Sequence, residues 1–282
     1  MTVKIVTDSS ADLPVQLAEE LGISVVPLYV RFGNEIYRER VTITDDEFYD
    51  KLFNGSVHPV TIQPSPQDFT EVYEKLAKEA DGIISIHLSG KLSGTYNSAL
   101  QGKEMMGDNG CPIEVVDSQL ITGALGLLAI MAANMAESGK DLQQVKDGVE
   151  QAIPNTHMLA LFDTLKYLLL GGRIGKAKAL LGSILSVKPV ITLKDGEVTP
   201  AGQARTRAKG VERLVDFAKS ASNLEDVAVG YSTTTDEAQT FAKRLSSIFT
   251  KGPVRVVRLG TTLGVHAGPG TLIVALRGKI AE

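Results

Sequence analysis

The sequence predicts an α/β protein of two domains. The first is built on a mostly parallel sheet flanked by helices; the second is an α+β domain with a mixed or antiparallel sheet. Three observations predict this. The chain has 282 residues, long for one domain and comfortable for two. Through its first half, short β-branched runs alternate with segments of helical period, the pattern of a parallel sheet covered on both faces. In the second half an Asp195-Gly196 pair sits between two strand-like runs and marks a hairpin. A boundary near Pro154-Asn155 divides the chain into 1–154 and 155–282.

The elements follow in order. "KIVTDSSADLP" predicts a strand over 3–7, then a helix opened by Asp12 as N-cap with Pro14 in its first turn and closed by Gly22. "ISVVPLYVRF" is the next strand. Thr44 caps a helix over "TDDEFYDKLF", whose acidic first turn suits the helix dipole, and Ser65 opens another over "SPQDFTEVYEKLAKEA". "DGIISIHL" reads as a buried strand, "TYNSALQGKEMM" as a helix and "PIEVVDS" as a strand. "QLITGALGLLAIMAANMAESG" is a long apolar helix ending at Gly139. In "HMLALFDTLKYLLLGGRIGKAKALLGSIL" the expectation is helices punctuated by Gly171, Gly172 and Gly175. The hairpin of "KPVITLKDGEVTPAGQARTR" follows, then a helix over "TRAKGVERLVDFAKSAS" and a strand over "VAVGYSTT". A helix over "TDEAQTFAKRLSSIF" and strands in "PVRVVRLG" and "GTLIVALRG" complete the chain.

Composition excludes several classes. Net charge is −4 and no block of five or more Lys/Arg occurs, so no nucleic acid is expected as partner. The single Cys111 excludes an internal disulfide and suits a reducing cytoplasm. The strand-like run after the N-terminal Met is too short for a signal-peptide apolar region. "GALGLLAIMAA" (123–133) falls short of the ~18–20 apolar residues of a membrane span, so no stable membrane insertion is expected.

The motifs of common enzyme chemistry fail one by one. G-x-x-x-x-G-K-[ST] is absent: between Gly171 and Gly175-Lys176 only three residues intervene, and Ala177 stands where a hydroxyl should be. G-x-G-x-x-G does not follow the first strand, so dinucleotide binding has no support and no cofactor is expected. The order Gly90-Lys91-Leu92-Ser93-Gly94 is not a nucleophile elbow. A triad assembled in space from Ser93, His266 and Asp8 or Asp117 stays open as the alternative, a serine hydrolase or acyltransferase. His58, His87, His157 and His266 are scattered without metal-ligand spacing, so no metal is expected. Asp45-Asp46 reads as helix capping, and Met105-Met106 and Met131/Met135 as core residues.

What remains are three hydroxyl- or glycine-rich corners. In "LSGKLSGTYNSAL" a strand is followed by Ser93, Gly94 and Thr95 at a helix N-terminus, where unpaired N–H groups and the dipole favour an anion. Ser93 or Thr95 as a plain helix cap accounts for the same residues more simply. "VTIQPSP" (60–66) is a second such turn, and parallel topology gathers these turns at one end of the sheet. "TTLGVHAGPG" (261–270) reads as a loop with His266 as its single titratable side chain.

Taken together, "VTDSSADLP", "TIQPSPQDF", "LSGTYNSA", "VVDSQLITGALGLLA", "LLLGGRIGKAKALLGSILSVKP" and "LGVHAGPG" resemble the DegV family of bacterial fatty-acid-binding proteins, in order and over nearly the whole chain. The resemblance implies one long-chain fatty acid held between two domains. Its carboxylate would lie on Thr61, Ser93 and His266, with Gly94 at the same corner. It also implies a carrier rather than a catalyst, whose bound ligand a separate fatty acid kinase converts to an acyl phosphate. Many members read T-S-Q-P-S where this chain has Ile62, one potential donor fewer. About fifteen buried methylenes at ~0.8 kcal/mol each, some ~12 kcal/mol, would make the tail dominate affinity. The helix over 120–135, thinned by Gly123 and Gly126, either borders the acyl tunnel or is ordinary core. "AGQARTRAKG" holds Arg205 and Arg207, which the resemblance implies as the kinase-docking surface; a solvated face is the plainer alternative.

Overall fold

The computed structural model describes residues 2–107, 110–181 and 187–280, so part of the expected helical segment before the hairpin lies outside the described residues. Strand β1 (Val3–Asp8) leads into a 3-10 turn, Ser9–Ala11, where Asp8 Oδ1 accepts from the Ser10 amide at 3.0 Å. Helix α1 (Val15–Glu20) then begins later than expected, with Pro14 rather than Asp12 at its N-cap. Asp12 sits at φ 53° and turns its carboxylate inward, where the Gly260 amide and the Thr122 hydroxyl donate to it. Distant partners have displaced the local cap.

"ISVVPLYVRF" divides at Pro27, whose missing N–H interrupts a ladder. Strand β2 (Ile23–Val26) pairs parallel with β1, whereas β3 (Tyr29–Phe32) joins β4 (Glu35–Arg38) and β5 (Val60–Ile62) in a separate antiparallel sheet of order β4-β3-β5. Between β4 and β5, α2 (Asp45–Asn54) opens on Thr44 with Glu47 completing a capping box. Then come α3 (Pro66–Leu76) capped by Ser65, β6 (Gly82–His87), α4 (Thr95–Met106) and β7 (Ile113–Asp117). The sheet β2-β1-β6-β7 is parallel throughout, as expected. Helix α5 (Thr122–Glu137) follows, then α6 (Leu142–Ala152), which has no counterpart among the expected elements although Asp141 and Gln144 form its capping box. Met105, expected in the core, is 55% exposed on α4.

After a 3-10 turn at Ile153–Asn155, the expected helix over "HMLALF" is instead strand β8 (Thr156–Leu161). It lies between two neighbours in the sheet and is buried almost throughout, so it lacks the alternation that marks a half-exposed strand. Among the described residues of the stretch before the hairpin, α7 (Lys166–Leu170) and a 3-10 segment, Gly175–Leu180, are helical. The hairpin β9 (Lys188–Lys194) and β10 (Glu197–Ala204) forms as expected, with Asp195 at φ 52° and Gly196 at φ 76°, both left-handed as a tight hairpin turn requires. The rest is α8 (Arg207–Ser220), β11 (Ala221–Tyr231), α9 (Thr235–Leu245), β12 (Arg255–Arg258), α10 (Thr261–Ala267) and β13 (Leu272–Ile280). The second sheet, β10-β9-β8-β13-β11-β12, is mixed: only β11 and β12 pair parallel.

Helix α5 is buried between the two large sheets, packing on β1 and β6 and on β8, β11 and β13. A Cβ on Gly123 would lie 3.3 Å from the Ala228 methyl, and one on Gly126 2.8 Å from the Ala11 carbonyl oxygen. These two glycines serve close packing of α5 on its neighbours, while Ile121 and Thr122 at the start of the helix line the cavity between the two halves. Among the described residues no helix is long and apolar enough to cross a membrane, and no His/Cys/Asp/Glu group has the makings of a metal site.

Candidate functional site

A cavity of about 320 Å³ lies where the two halves meet. Leu28, Leu88, Leu92 and Ile121 wall it from one side, and Met158, Phe162, Leu168, Ile191 and Ile273 from the other. Thr61, Ser93 and His266 all line it, although they are far apart in sequence and on three different elements. Thr61 belongs to β5 of the small antiparallel sheet, opposite Val30, and not to the parallel sheet whose topology first suggested a shared corner.

His266 is on a helix, not in a loop. Val265 is buried with Val30, Ile43, Phe48 and Tyr49, which anchors α10 on α2 and β3. Gly264 has no room for a side chain against the Phe48 ring, so the helix approaches α2 closely. Beside them the His266 ring presents Nε2 to Thr61 Oγ1 at 3.0 Å. Its Nδ1 is buried with no hydrogen-bond partner among the described residues, against Gly171 of the turn after α7. Burial lowers the His266 pKa to about 4, and the nearby Arg173 and His58 add to the effect. The ring is therefore neutral at pH 7. With the hydrogen on Nε2, the ring donates to Thr61 and leaves the Thr61 hydroxyl hydrogen for a ligand.

Ser93 sits on a loop whose turn is built by the fully buried Ser89. The Leu92 and Ser93 amides donate to the Ser89 carbonyl, and Ser89 Oγ donates to the Gly196 carbonyl at 2.7 Å, tying this loop to the hairpin tip of the other half. Helix α4 has Gly94 as N-cap and no side-chain cap, so neither Ser93 nor Thr95 is the simple cap considered above. Instead Ser93 Oγ accepts weakly from the Thr95 amide at 3.3 Å and shares a 2.9 Å hydrogen bond with Thr95 Oγ1. If Thr95 donates, the Ser93 hydrogen is free to point into the cavity. Gly94 does not line the cavity. A side chain there would overlap Gln63, whose Nε2 donates to Ser98 Oγ at 3.1 Å, so Gly94 brings the Thr61 and Ser93 loops together.

The other hydroxyls on the wall are committed to protein acceptors. Thr122 donates to Asp12, Thr262 to Glu39, and Thr192 to the Met158 carbonyl. Thr61 and Ser93 thus remain as the lining hydroxyls not committed to a backbone or carboxylate acceptor, Thr61 beside His266 and Ser93 beside Thr95. Arg173, given no role by the sequence, also lines the cavity. Its Nε donates to the Leu92 carbonyl at 3.3 Å and its Nη1 to the Gly171 carbonyl at 2.9 Å, and it pairs with no carboxylate among the described residues. A cation set between Gly172 and Gly175 was the available signal. Ile62 is part of the apolar wall.

The triad alternative is not assembled. His266 Nε2 faces Thr61 rather than Ser93, and Asp8 and Asp117 are engaged elsewhere: Asp117 accepts from the Gly90 and Gln119 amides. Asp8 is held by His87, which continues to Ser85 at 2.6 Å, an Asp–His–Ser series in order but fully buried and closed by the Tyr73 hydroxyl. Of the two basic residues singled out, Arg205 is exposed and makes no ion pair among the described residues. Arg207 is tied down: Nε reaches Glu237 at 3.0 Å, and Nη1 approaches Asp163 at 3.5 Å and the Gly270 carbonyl.

A family model described as "Uncharacterised protein, DegV family" matches residues 2–279. A DegV domain-containing protein of Streptomyces coelicolor is 36% identical over 282 residues, covering 98% of this chain and 99% of its own. Among solved structures, a DegV family protein of Thermus thermophilus described by its fatty acid binding is 35% identical with a TM-score of 0.89, covering 99% of this chain and 100% of its own. A stearic-acid-binding protein of Eubacterium ventriosum is 30% identical with a TM-score of 0.90, covering 98% of both chains. With a family model spanning almost every described residue and relatives aligned end to end, the chain belongs to the DegV family.

Proposed function

We propose that the protein binds one long-chain fatty acid, its tail in the apolar cavity and its carboxylate on Thr61, Ser93 and His266. The observation that carries this reading is a predominantly apolar cavity of about 320 Å³ lined by Ser93 and by Thr61, the latter hydrogen-bonded to a buried histidine. That volume is in the range of small-molecule sites, ~300–1,000 Å³. Methylene burial supplies the affinity, and the Thr61 and Ser93 hydroxyls, the first backed by the imidazole, compensate a carboxylate that would be costly to bury alone. Arg173 adds a positive charge at the same end. The related proteins described as fatty-acid-binding support the assignment.

The reading continues to a carrier role. The ligand is presented to a separate fatty acid kinase, which converts it to an acyl phosphate, and Arg205 contributes to that docking. Residues 1–154 and 155–282 act as the two domains that enclose the ligand.

Extraction of purified protein with organic solvent, followed by mass spectrometry, is expected to yield fatty acid in near-stoichiometric amount. A delipidated sample should rebind palmitate, and Ser93→Ala should weaken it by on the order of tenfold, the loss of one hydrogen bond to a charged group. Failure of the delipidated protein to bind any long-chain acid would sink the assignment.

A further inference from the structure

Behind the cavity wall, two carboxylates of the N-terminal half hold the start of α10. Glu39, 1% exposed, accepts from the Thr262 amide at 3.0 Å, the Thr262 hydroxyl at 2.7 Å and the Ser9 hydroxyl at 2.5 Å. Asp12, equally buried, accepts from the Gly260 amide at 2.8 Å and the Thr122 hydroxyl at 2.7 Å. Gly260 is the N-cap of α10, and a side chain there would overlap Glu39. Thr262 and His266 are four residues apart, so they share one face of the helix, and both line the cavity.

We propose that Glu39, with Asp12 beside it, is a positioning residue for the head-group site: it fixes the rotation of α10 and thereby aims His266 at Thr61. A helix of two turns has little rotational constraint of its own. Its amides at the start need acceptors, and here both come from outside the helix and from the other half of the chain. Three hydrogen bonds to one carboxylate, two of them from Thr262, leave that face a single orientation, and the His266 ring follows from it one turn later. The arrangement is not chosen for stability alone. Burial, opposed by Arg40 and reinforced by the neighbouring Glu39, raises the Asp12 pKa to about 7, so the fold keeps two acids together at a cost. The functional meaning of this role rests on the head-group reading above.

The test has two parts. In ligand-free protein, the His266 imidazole resonances, assigned by their loss in His266→Gln, are expected to move in Glu39→Ala and in Thr262→Val. They should stay in place in Glu39→Gln, whose amide oxygen still accepts from the Thr262 amide. Resonances unmoved by both Glu39→Ala and Thr262→Val would overturn the inference. In the second part, Glu39→Ala should weaken palmitate binding by roughly tenfold in the otherwise unaltered protein and less than about twofold in a His266→Gln background, because it acts through that ring. Equal losses in both backgrounds would mark a general structural role and also overturn it. If Glu39→Ala does not fold, Thr262→Val carries both readouts. Should the delipidated, unaltered protein bind no long-chain acid, the fatty acid assignment falls, while the resonances still decide the positioning role.

Discussion

At pH 7 the His266 ring is neutral because charging it would mean placing an imidazolium in a buried site beside Arg173. The sign of the consequence is definite. An unfolded chain protonates this side chain near 6.5, the folded one only near 4. The ligand-free fold therefore has this contribution in full above pH 6.5 and loses it progressively as pH falls toward 4. A carboxylate brought against the ring reverses the balance and raises its pKa. Palmitate binding near pH ~5.5 is accordingly expected to take up a fraction of a proton, measured by calorimetry in buffers of different ionisation enthalpy, and His266→Gln should abolish it. The same uptake in that variant would assign the proton elsewhere and contradict His266 as a head-group partner. The pairing of Thr61 with His266 was not legible as a contact in the sequence, since 205 positions separate them and nothing in either stretch names the other.

Among the elements, α10 and α7 decide how closely His266 is held against Thr61 in the proposed head-group site. Gly171, at the C-terminal end of α7, has φ −77°, a conformation open to any residue. It is close approach alone that demands glycine there, because an added methyl would overlap His266 Nδ1. Gly171→Ala should push the ring away from Thr61 and cost ~1–3 kcal/mol of overpacking, read as a palmitate affinity lower by roughly tenfold or more. Unchanged affinity would show that the ring has room to move and that α7 does not constrain it. Legibility varied among the elements for physical reasons. Helices α2 and α3 were readable because Thr44–Glu47 and Ser65–Asp68 satisfy their first amides locally. The sequence points to Asp12 as the cap of α1 and shows α10 as a loop, because Asp12 serves α10 instead of its own helix and the capping signal is spent at a distance. β8 carries no strand signature because a strand buried on both faces has no alternation to show.

At the scale of the whole molecule, the cavity belongs to neither half alone, and the contacts that join the halves also build the site. Ser89 ties the Ser93 loop to the hairpin tip, and Asp12 and Glu39 hold α10. Outward-facing function divides differently between the two arginines. Arg207 is spent on Glu237, Asp163 and the Gly270 carbonyl, which leaves Arg205, with Lys209 exposed nearby, as a cation of this stretch available to a partner. Arg205→Ala is expected to lower kinase-dependent acyl phosphate formation by on the order of tenfold at unchanged palmitate affinity, since a rim charge acts on docking rather than on the buried tail. Unimpaired turnover would remove Arg205 from the docking surface. By itself the sequence determined the α/β class, the parallel first sheet and the hairpin at Asp195-Gly196, because these follow from local period, turn chemistry and composition. Only the tertiary structure decided that Thr61 faces His266, that Ser93 pairs with Thr95, that Gly94 and Gly171 are spacers, and that Arg173 joins them. Those facts depend on which distant groups satisfy one another's hydrogen bonds and volumes once the two sheets close around α5, and no stretch of local sequence carries that information.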